Sequence, residues 1–389
     1  MTATGSAVAE RAELGALLEL CSLPHVGPAR MRALLDGASA QEAIAKLCRG
    51  RSDSLGALLV CPGVTGVLVG SWRAALTAAH ERAASNGCPV GVDRLAAHEQ
   101  AGVWLEIPTG GETGEVWKAD PEPPALLFGR GAQLYAATRR VGIVGTRRCS
   151  AYGRTVAQQL GEGLAAAGVT VVSGLASGID GIAQRAALDA GGLVIGVVGS
   201  GLDHVYPASN RSLWVDIAQR GTLLSEYPLG TPALRWRFPA RNRIVAALCD
   251  VLVVVESAES GGSLYTVDAA AERGRPVMAV PGPITSDVSM GTNRLLAEGC
   301  PPVCDVGDIL LALGWSELES APSGALLELP MPESPLDRTV LDELGPASRT
   351  ADELVLRTGA GLAEVAASLG RLELSGWAAE TAGWWERTR

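Results

Sequence analysis

Residues 141–180 read VGIVGTRRCSAYGRTVAQQLGEGLAAAGVTVVSGLASGID. Two short apolar runs, 141–144 and 169–172, bracket a helix-length segment, 151–167. Each run ends in a glycine-bearing turn that opens a helix. A fully apolar strand, a turn and a helix form the repeating unit of a parallel sheet buried on both faces. The unit recurs downstream. Apolar runs return at 193–198, 222–224, 251–255 and 277–280, with helix-length segments at 179–190, 208–219, 239–248 and 263–273. The spacing predicts an α/β, doubly wound parallel sheet. In such sheets ligands bind beyond the carboxyl ends of the strands, so the turns after each run are the places to look for chemistry.

Outward from this core the pattern changes. Residues 9–100 read as short helices joined by the turns 23–30 and 61–66. Residues 101–124 are rich in Gly, Glu and Pro and read as a loop. Residues 125–128 read as a short strand ending at Gly129-Arg130-Gly131. Residues 316–336 are rich in Pro, Ser and Glu and read as a linker. Beyond it the spacing predicts helices at 338–344, 351–357 and 362–373, then a small hairpin around Trp377 and Trp384-Trp385. Three helices followed by a hairpin match a winged helix. The expected division is 1–100, 101–315, 316–336 and 337–389.

Composition narrows the function classes. The chain has 389 residues, 47% hydrophobic and 19% charged, enough apolar material for buried cores. It has no uninterrupted run of 18 apolar residues, which argues against a membrane span. The first twenty residues carry acids and lack a basic start, so no signal peptide is expected and the setting reads as cytoplasmic. Eight scattered cysteines include no CxxC pair and, with four histidines, give no metal-ligand spacing. Net charge is −10, but residues 301–389 hold 15 acidic against 6 basic side chains, whereas residues 141–300 hold 13 of each. The middle of the chain is free to present a basic face.

The strand-end turns carry anion-binding chemistry. After the first run, Gly145, Thr146 and Arg147, with Arg148 beside them, combine close backbone approach, a hydroxyl, a guanidinium and helix N-terminal amides. After the second, Ser173, Gly174, Ser177 and Gly178 form a second nest, and Asp180 reads as a helix-start residue. After the third come Gly201 and then Asn210-Arg211, while His204 reads as a polar loop residue. Residues 234–243, LRWRFPARNR, place Arg235, Arg237, Arg241 and Arg243 within nine residues, interleaved with Trp236, Phe238 and Asn242. Guanidinium groups for phosphates beside aromatic faces for bases are what single-strand binding requires. After the fifth run, Gly262 and Ser263 open another helix. The first turn is not GxGxxG and no acid ends the second strand, so no dinucleotide cofactor is expected. No nucleophile with a base, Walker loop or metal cluster is found. The turns read as a polyanion cradle without a reaction centre, and Arg147→Ala and Arg241→Ala are each expected to weaken binding with the fold intact.

These motifs, in this order, resemble the DprA/Smf family of bacterial DNA-processing proteins. The matching segments are GIVGTRR (142–148), VSGLASGID (172–180), GSGLDHVYP (199–207), LLSEYP (223–228), FPARNRIVAALCD (238–250), ESGGSLYT (259–266) and AVPG (279–282). The resemblance implies an extended Rossmann-like domain flanked by a small helical (SAM/helix-hairpin-helix-like) domain and a C-terminal winged helix. It implies sequence-independent binding of single-stranded DNA, a homodimer, loading of the RecA recombinase, and a role in natural transformation without enzymatic activity or cofactor. Arg147 falls on the family's arginine turn and Arg241-Asn242-Arg243 on its [KR]-N-R element. Ser177 stands where many members carry a cation, and Gln184 where many carry His. The competing class is a nucleotide-processing enzyme of the phosphoribohydrolase kind, whose catalytic loop would fall near Gly261–Asp268. The third helix of the last unit offers Glu364, Arg371 and Glu373, a poor complement to a polyanion, so that unit is expected to bind protein, or dock on its own chain, rather than DNA.

Overall fold

The computed structural model describes residues 3–49, 58, 60–108, 114–118, 120–133, 139–315, 332, 334–344, 349–374, 377–381 and 383–387. The chain divides into two compact units, Met1–Ser320 and Ala321–Arg389. Most of the predicted linker lies outside the described residues.

The first unit is built on an eight-stranded sheet: β1 (Trp104–Glu106), β2 (Leu127–Gly131), β3 (Arg140–Val144), β4 (Thr170–Ser173), β5 (Val194–Val198), β6 (Thr222–Ser225), β7 (Val251–Val254) and β8 (Val277–Ala279), in spatial order β1-β2-β6-β5-β4-β3-β7-β8. The six strands from β3 to β8 are parallel, as the apolar runs predict. β3 to β7 are buried almost throughout because helices cover both faces. Two features differ from the reading of 101–131. Trp104–Glu106 is a strand, and β2 pairs antiparallel with β6 and β1 antiparallel with β2, extending the sheet past β6. Gly129 makes this possible, since any Cβ there would meet the Trp104 ring at 2.0 Å. The chain then crosses from β6, on one side of β3, to β7 on the other. That jump creates a topological switch point between β3 and β7.

The N-terminal helices are Ala3–Cys21, Pro28–Leu35, Ala40–Arg49, Gly66–Asn86 and Val92–Gln100. Leu18, Leu20, Trp72 and Leu76 are fully buried and share one continuous apolar core with Phe128, Val141 and Val171 of the sheet. A chain of ion pairs also ties helix to sheet: Arg32 to Glu122 at 2.6 Å, and Arg243 to Glu226 at 2.5 Å and to Glu122 at 3.9 Å. Asp120 and Arg273 form a two-pronged pair at 2.9 and 3.0 Å, with side chains 2% and 3% exposed, fastening the loop before β2. None of the described helices is long and apolar enough to cross a membrane.

The second unit has helices Pro335–Leu344, Ala351–Thr358 and Leu362–Leu374, and a three-stranded sheet in which β11 (Trp384–Arg387) lies between β9 (Arg349–Thr350) and β10 (Ala378–Thr381). This is a winged helix with its own core of Val340, Leu341, Leu354, Val365 and Leu369. Four of its described arginines are engaged internally. Arg338 donates to the Pro332 carbonyl, Arg349 to the Glu343 carbonyl, and Arg357 to the Glu343 carboxylate. Arg371 forks onto Asp337 at 2.6 and 3.0 Å, and Ser368 donates to the same carboxylate at 2.6 Å.

Hydrogen bonding from Arg371 holds the Asp337 carboxyl below its ordinary value of 3.8. A carboxylate depressed in the folded state stabilises fully above about pH 4 and loses that contribution as pH falls through its folded value. Hydrogen exchange measured on residues 335–374 of the full chain should therefore show protection falling below about pH 4. Asp337→Asn should lower protection at pH 7 and flatten the acid dependence.

Candidate nucleic-acid interface

The ends of β3, β4 and β7 open onto a cleft of about 580 Å³ at the switch point. Its shape begins with the turn after β3. Gly145 packs so closely that a Cβ would lie 2.6 Å from Ile179 and 2.9 Å from the Glu256 carbonyl. Thr146 donates its amide to that carbonyl at 2.8 Å and accepts from the Ile179 amide at 3.3 Å. Glu256, 1% exposed, accepts from the Ser150 amide at 2.9 Å and the Ser150 hydroxyl at 2.5 Å. Ser150 in turn caps helix Ala151–Ala166. The turn is thereby locked between two strands and two helices. Arg147 is left exposed, its guanidinium 5.4 Å from the centre of the Phe238 ring.

The cleft gathers Gly145, Thr146 and Arg147 from one turn and Gly174 from the next, Arg235, Arg241 and Asn242 from 235–242, and Gly262 and Ser263 from the turn after β7. Three aromatic faces join them: Phe238, Tyr206 and Tyr265, the two tyrosines 47% and 60% exposed. Tyr206 and Phe238 stand 5.2 Å apart. The tyrosines were not singled out from sequence, although Tyr206 sits in a strand-end turn and Tyr265 in the first turn of the helix that follows β7, where ligand-facing residues are expected.

The arginine-rich segment separates into distinct roles. Arg235 is exposed at the cleft. Arg237 is sandwiched between Tyr227 and Trp236, at 4.7 and 5.1 Å from the ring centres. Arg243 lies outside the cleft lining, 7% exposed and paired with Glu226. Arg241 lines the cleft but is 4% exposed, donating to the carbonyls of Gly174 at 2.7 Å and Val197. Burial brings its pKa down to about 10, with Asp180 opposing the shift. Asp180 is itself buried and accepts from the Gly174 amide at 3.1 Å. Burial raises its carboxyl above the ordinary value, against the pull of Arg241 and the hydrogen bonds it accepts.

The remaining candidates are placed elsewhere. Ser173 is buried and donates to the Ile143 carbonyl. Gly201 packs against Pro228 and Thr231. Asn210 spends its side-chain amide on the carbonyls of Leu175 and Ala176 at 3.0 and 3.1 Å. Arg211 is exposed at the start of helix Arg211–Arg220. Arg148, Ser177 and Gly178 line a second groove of about 650 Å³, which Arg147 also lines. Gln184, buried, bridges the Leu175 amide and the Ile195 carbonyl. Among the described residues no group of three or more His, Cys, Asp or Glu is placed to hold a metal ion.

An open, mostly parallel sheet covered by helices, with glycine turns, exposed guanidinium groups and aromatic faces at its switch point, defines a Rossmann-like fold. The sequence profile of the family DNA recombination-mediator protein A matches residues 113–314, and that of the DprA winged helix domain matches residues 323–383. The chain is 40% identical over 217 residues to the DNA processing protein DprA of Bacillus subtilis, covering 55% of this chain and 73% of the relative. It is 38% identical over 281 residues to Protein Smf of Escherichia coli, covering 70% and 74%. The crystal structure of DprA from Streptococcus pneumoniae superposes with a TM-score of 0.61 at 28% identity, over 77% of this chain and 97% of that one. The chain belongs to the DNA recombination-mediator protein A family.

Burial changes what Arg241→Ala should do. Its loss leaves two carbonyls and a buried carboxyl without their cation, at a cost of about 3 kcal/mol or more. Arg147→Ala removes an exposed side chain and should stay within about 0.5 kcal/mol of the unaltered chain. Urea unfolding of both variants checks the contrast. Equal stability would show that Arg241 does not fasten the strand ends.

Proposed function

We propose that the chain binds single-stranded DNA without sequence preference, seated in the cleft between the ends of β3 and β7. The observation that carries this reading is the meeting of exposed Arg147 and Arg235 with the faces of Tyr206, Phe238 and Tyr265 in one open cavity. A single strand offers phosphates and unstacked base faces together, whereas a duplex hides its base faces. Stacking contributes about 1–3 kcal/mol per base and tolerates any sequence, because every base has a π-face. Guanidinium groups and turn amides meet the phosphates.

The same cleft argues for binding rather than catalysis. Its described lining includes one carboxylate, Asp180, and that group is committed to Gly174 and Arg241. Asp268, the acid considered for a phosphoribohydrolase-like enzyme, is exposed and outside the lining. Family membership supports a recombination mediator that hands the strand to the RecA recombinase. We infer that it acts as a cytoplasmic homodimer in DNA uptake and processing. The winged helix, with Arg338, Arg349, Arg357 and Arg371 occupied by its own acids and carbonyls, is read as a unit that meets protein or docks on its own chain rather than DNA.

Gel-shift titrations with single- and double-stranded oligonucleotides should show tighter single-strand binding. The log–log salt slope should be about −0.7 per phosphate contacted. Arg147→Ala should weaken the complex by roughly 1.5–3 kcal/mol, the worth of a charge-assisted contact. Equal or tighter duplex binding would contradict the reading. Deleting residues 321–389 should leave single-strand affinity within about threefold, or 0.65 kcal/mol. A tenfold loss would assign DNA contact to the winged helix.

A further inference from the structure

The second groove, of about 650 Å³, runs between helices Ala151–Ala166 and Ile179–Asp189 and reaches the start of helix Arg211–Arg220. It meets the cleft at Arg147, which lines both cavities. A recess of about 40 Å³, lined by Arg147, Ser177, Tyr206 and Phe238 among others, takes residues from each and joins them. Along the groove wall beyond Arg147 stand Arg148 and Arg154. Both are exposed, and neither makes an ion pair among the described residues. The groove also holds two acids: Asp189 is paired with arginines, and Glu162 has only a neutral amide partner and is outnumbered by the groove's arginines. Asp189 faces Arg185 at 3.4 Å and Arg220 at 3.9 Å, and Glu162 accepts from Gln158 at 2.9 Å. Arg185 is likewise held, by Asp216 at 2.6 Å.

We propose that this groove is a second nucleic-acid subsite, the track for the phosphodiester backbone of the strand as it leaves the cleft over Arg147. The inference rests on the cleft reading above. The two cavities do different work. The cleft offers aromatic faces and turn amides. The groove offers exposed guanidinium groups and no aromatic ring among its described lining, so it suits a backbone rather than stacked bases. Its cations flank the start of a capped helix, Arg148 before the Ser150 cap and Arg154 at the end of the first turn, where the helix dipole also favours negative charge. Free guanidinium groups here would otherwise repel one another and Arg147 across an open surface, and a polyanion removes that repulsion.

The test is a length series of oligothymidylates against the full chain and Arg154→Glu. Arg154 is exposed and lies outside the cleft lining, so folding is checked by an unchanged melting midpoint. A short oligomer that fills the cleft alone should bind both proteins within about twofold. A long oligomer, of about twenty nucleotides, should bind the variant at least tenfold more weakly. In Arg154→Ala its salt slope should be shallower by about 0.7, one phosphate contact. Equal binding of the long oligomer by both proteins overturns the track while leaving the cleft reading standing. Equal loss at both lengths also overturns it, by making Arg154 part of the cleft. Failure of the unaltered chain to bind any oligomer overturns the cleft reading, and the track with it.

Discussion

The geometry of the site depends on one buried guanidinium. Arg241 enters from helix Arg237–Leu248 and donates to the Gly174 carbonyl after β4 and the Val197 carbonyl within β5. A buried cation is costly unless its donors are used and an opposite charge is near. Here the carbonyls use the donors and Asp180 supplies the charge. Asp180 in turn fixes the Gly174 amide. Gly174 has no side chain because a Cβ would fall 2.5 Å from the guanidinium. The helix, two strand ends and a turn are thus held in register around a polar knot, and the cleft wall is rigid before any ligand arrives. Preorganisation of this kind lowers the ordering cost of binding.

Around that knot the chain uses arginine for two opposed purposes. Arg241, Arg243 and Arg273 are internal and hold elements together through carbonyls or acids. Arg147, Arg148, Arg154 and Arg235 are exposed on the turn and helix starts near β3 and the loop before helix Arg237–Leu248. Several acids of the same region, Asp180, Glu226 and Glu256, are turned inward. A segment with no net charge in its sequence still places four exposed arginines, Arg147, Arg148, Arg154 and Arg235, around its strand ends. That is the arrangement a polyanion ligand requires.

The parallel sheet was legible because β3 to β8 are buried on both faces and read as unbroken apolar runs. The strand-end turns were legible because Gly145 and Gly178 stand where backbone approaches backbone, and Gly174 where the Arg241 guanidinium does. Strands β1 and β2 were only half visible. Trp104–Glu106 is three residues long, lies at an edge and is flanked by Gly and Pro, so no periodicity could mark it. Least legible was the division of labour among Arg235, Arg237, Arg241 and Arg243. Four charges in nine residues count alike in a sequence. Yet one is exposed, one is stacked on two rings and two are buried, because the helix begins at Arg237 and turns residues 241 and 243 inward. The tyrosines at 206 and 265 passed unmarked because nothing local distinguishes an exposed tyrosine from a core one.

The most direct measurement is photocrosslinking of a bromouracil-substituted single strand to the full chain, followed by mapping of the attached peptides. The account predicts adducts at Tyr206, Phe238 or Tyr265, lost when unmodified single strand competes and retained under excess duplex. Adducts confined to residues 3–49 or to the winged helix, with none at the three aromatic faces, would contradict it.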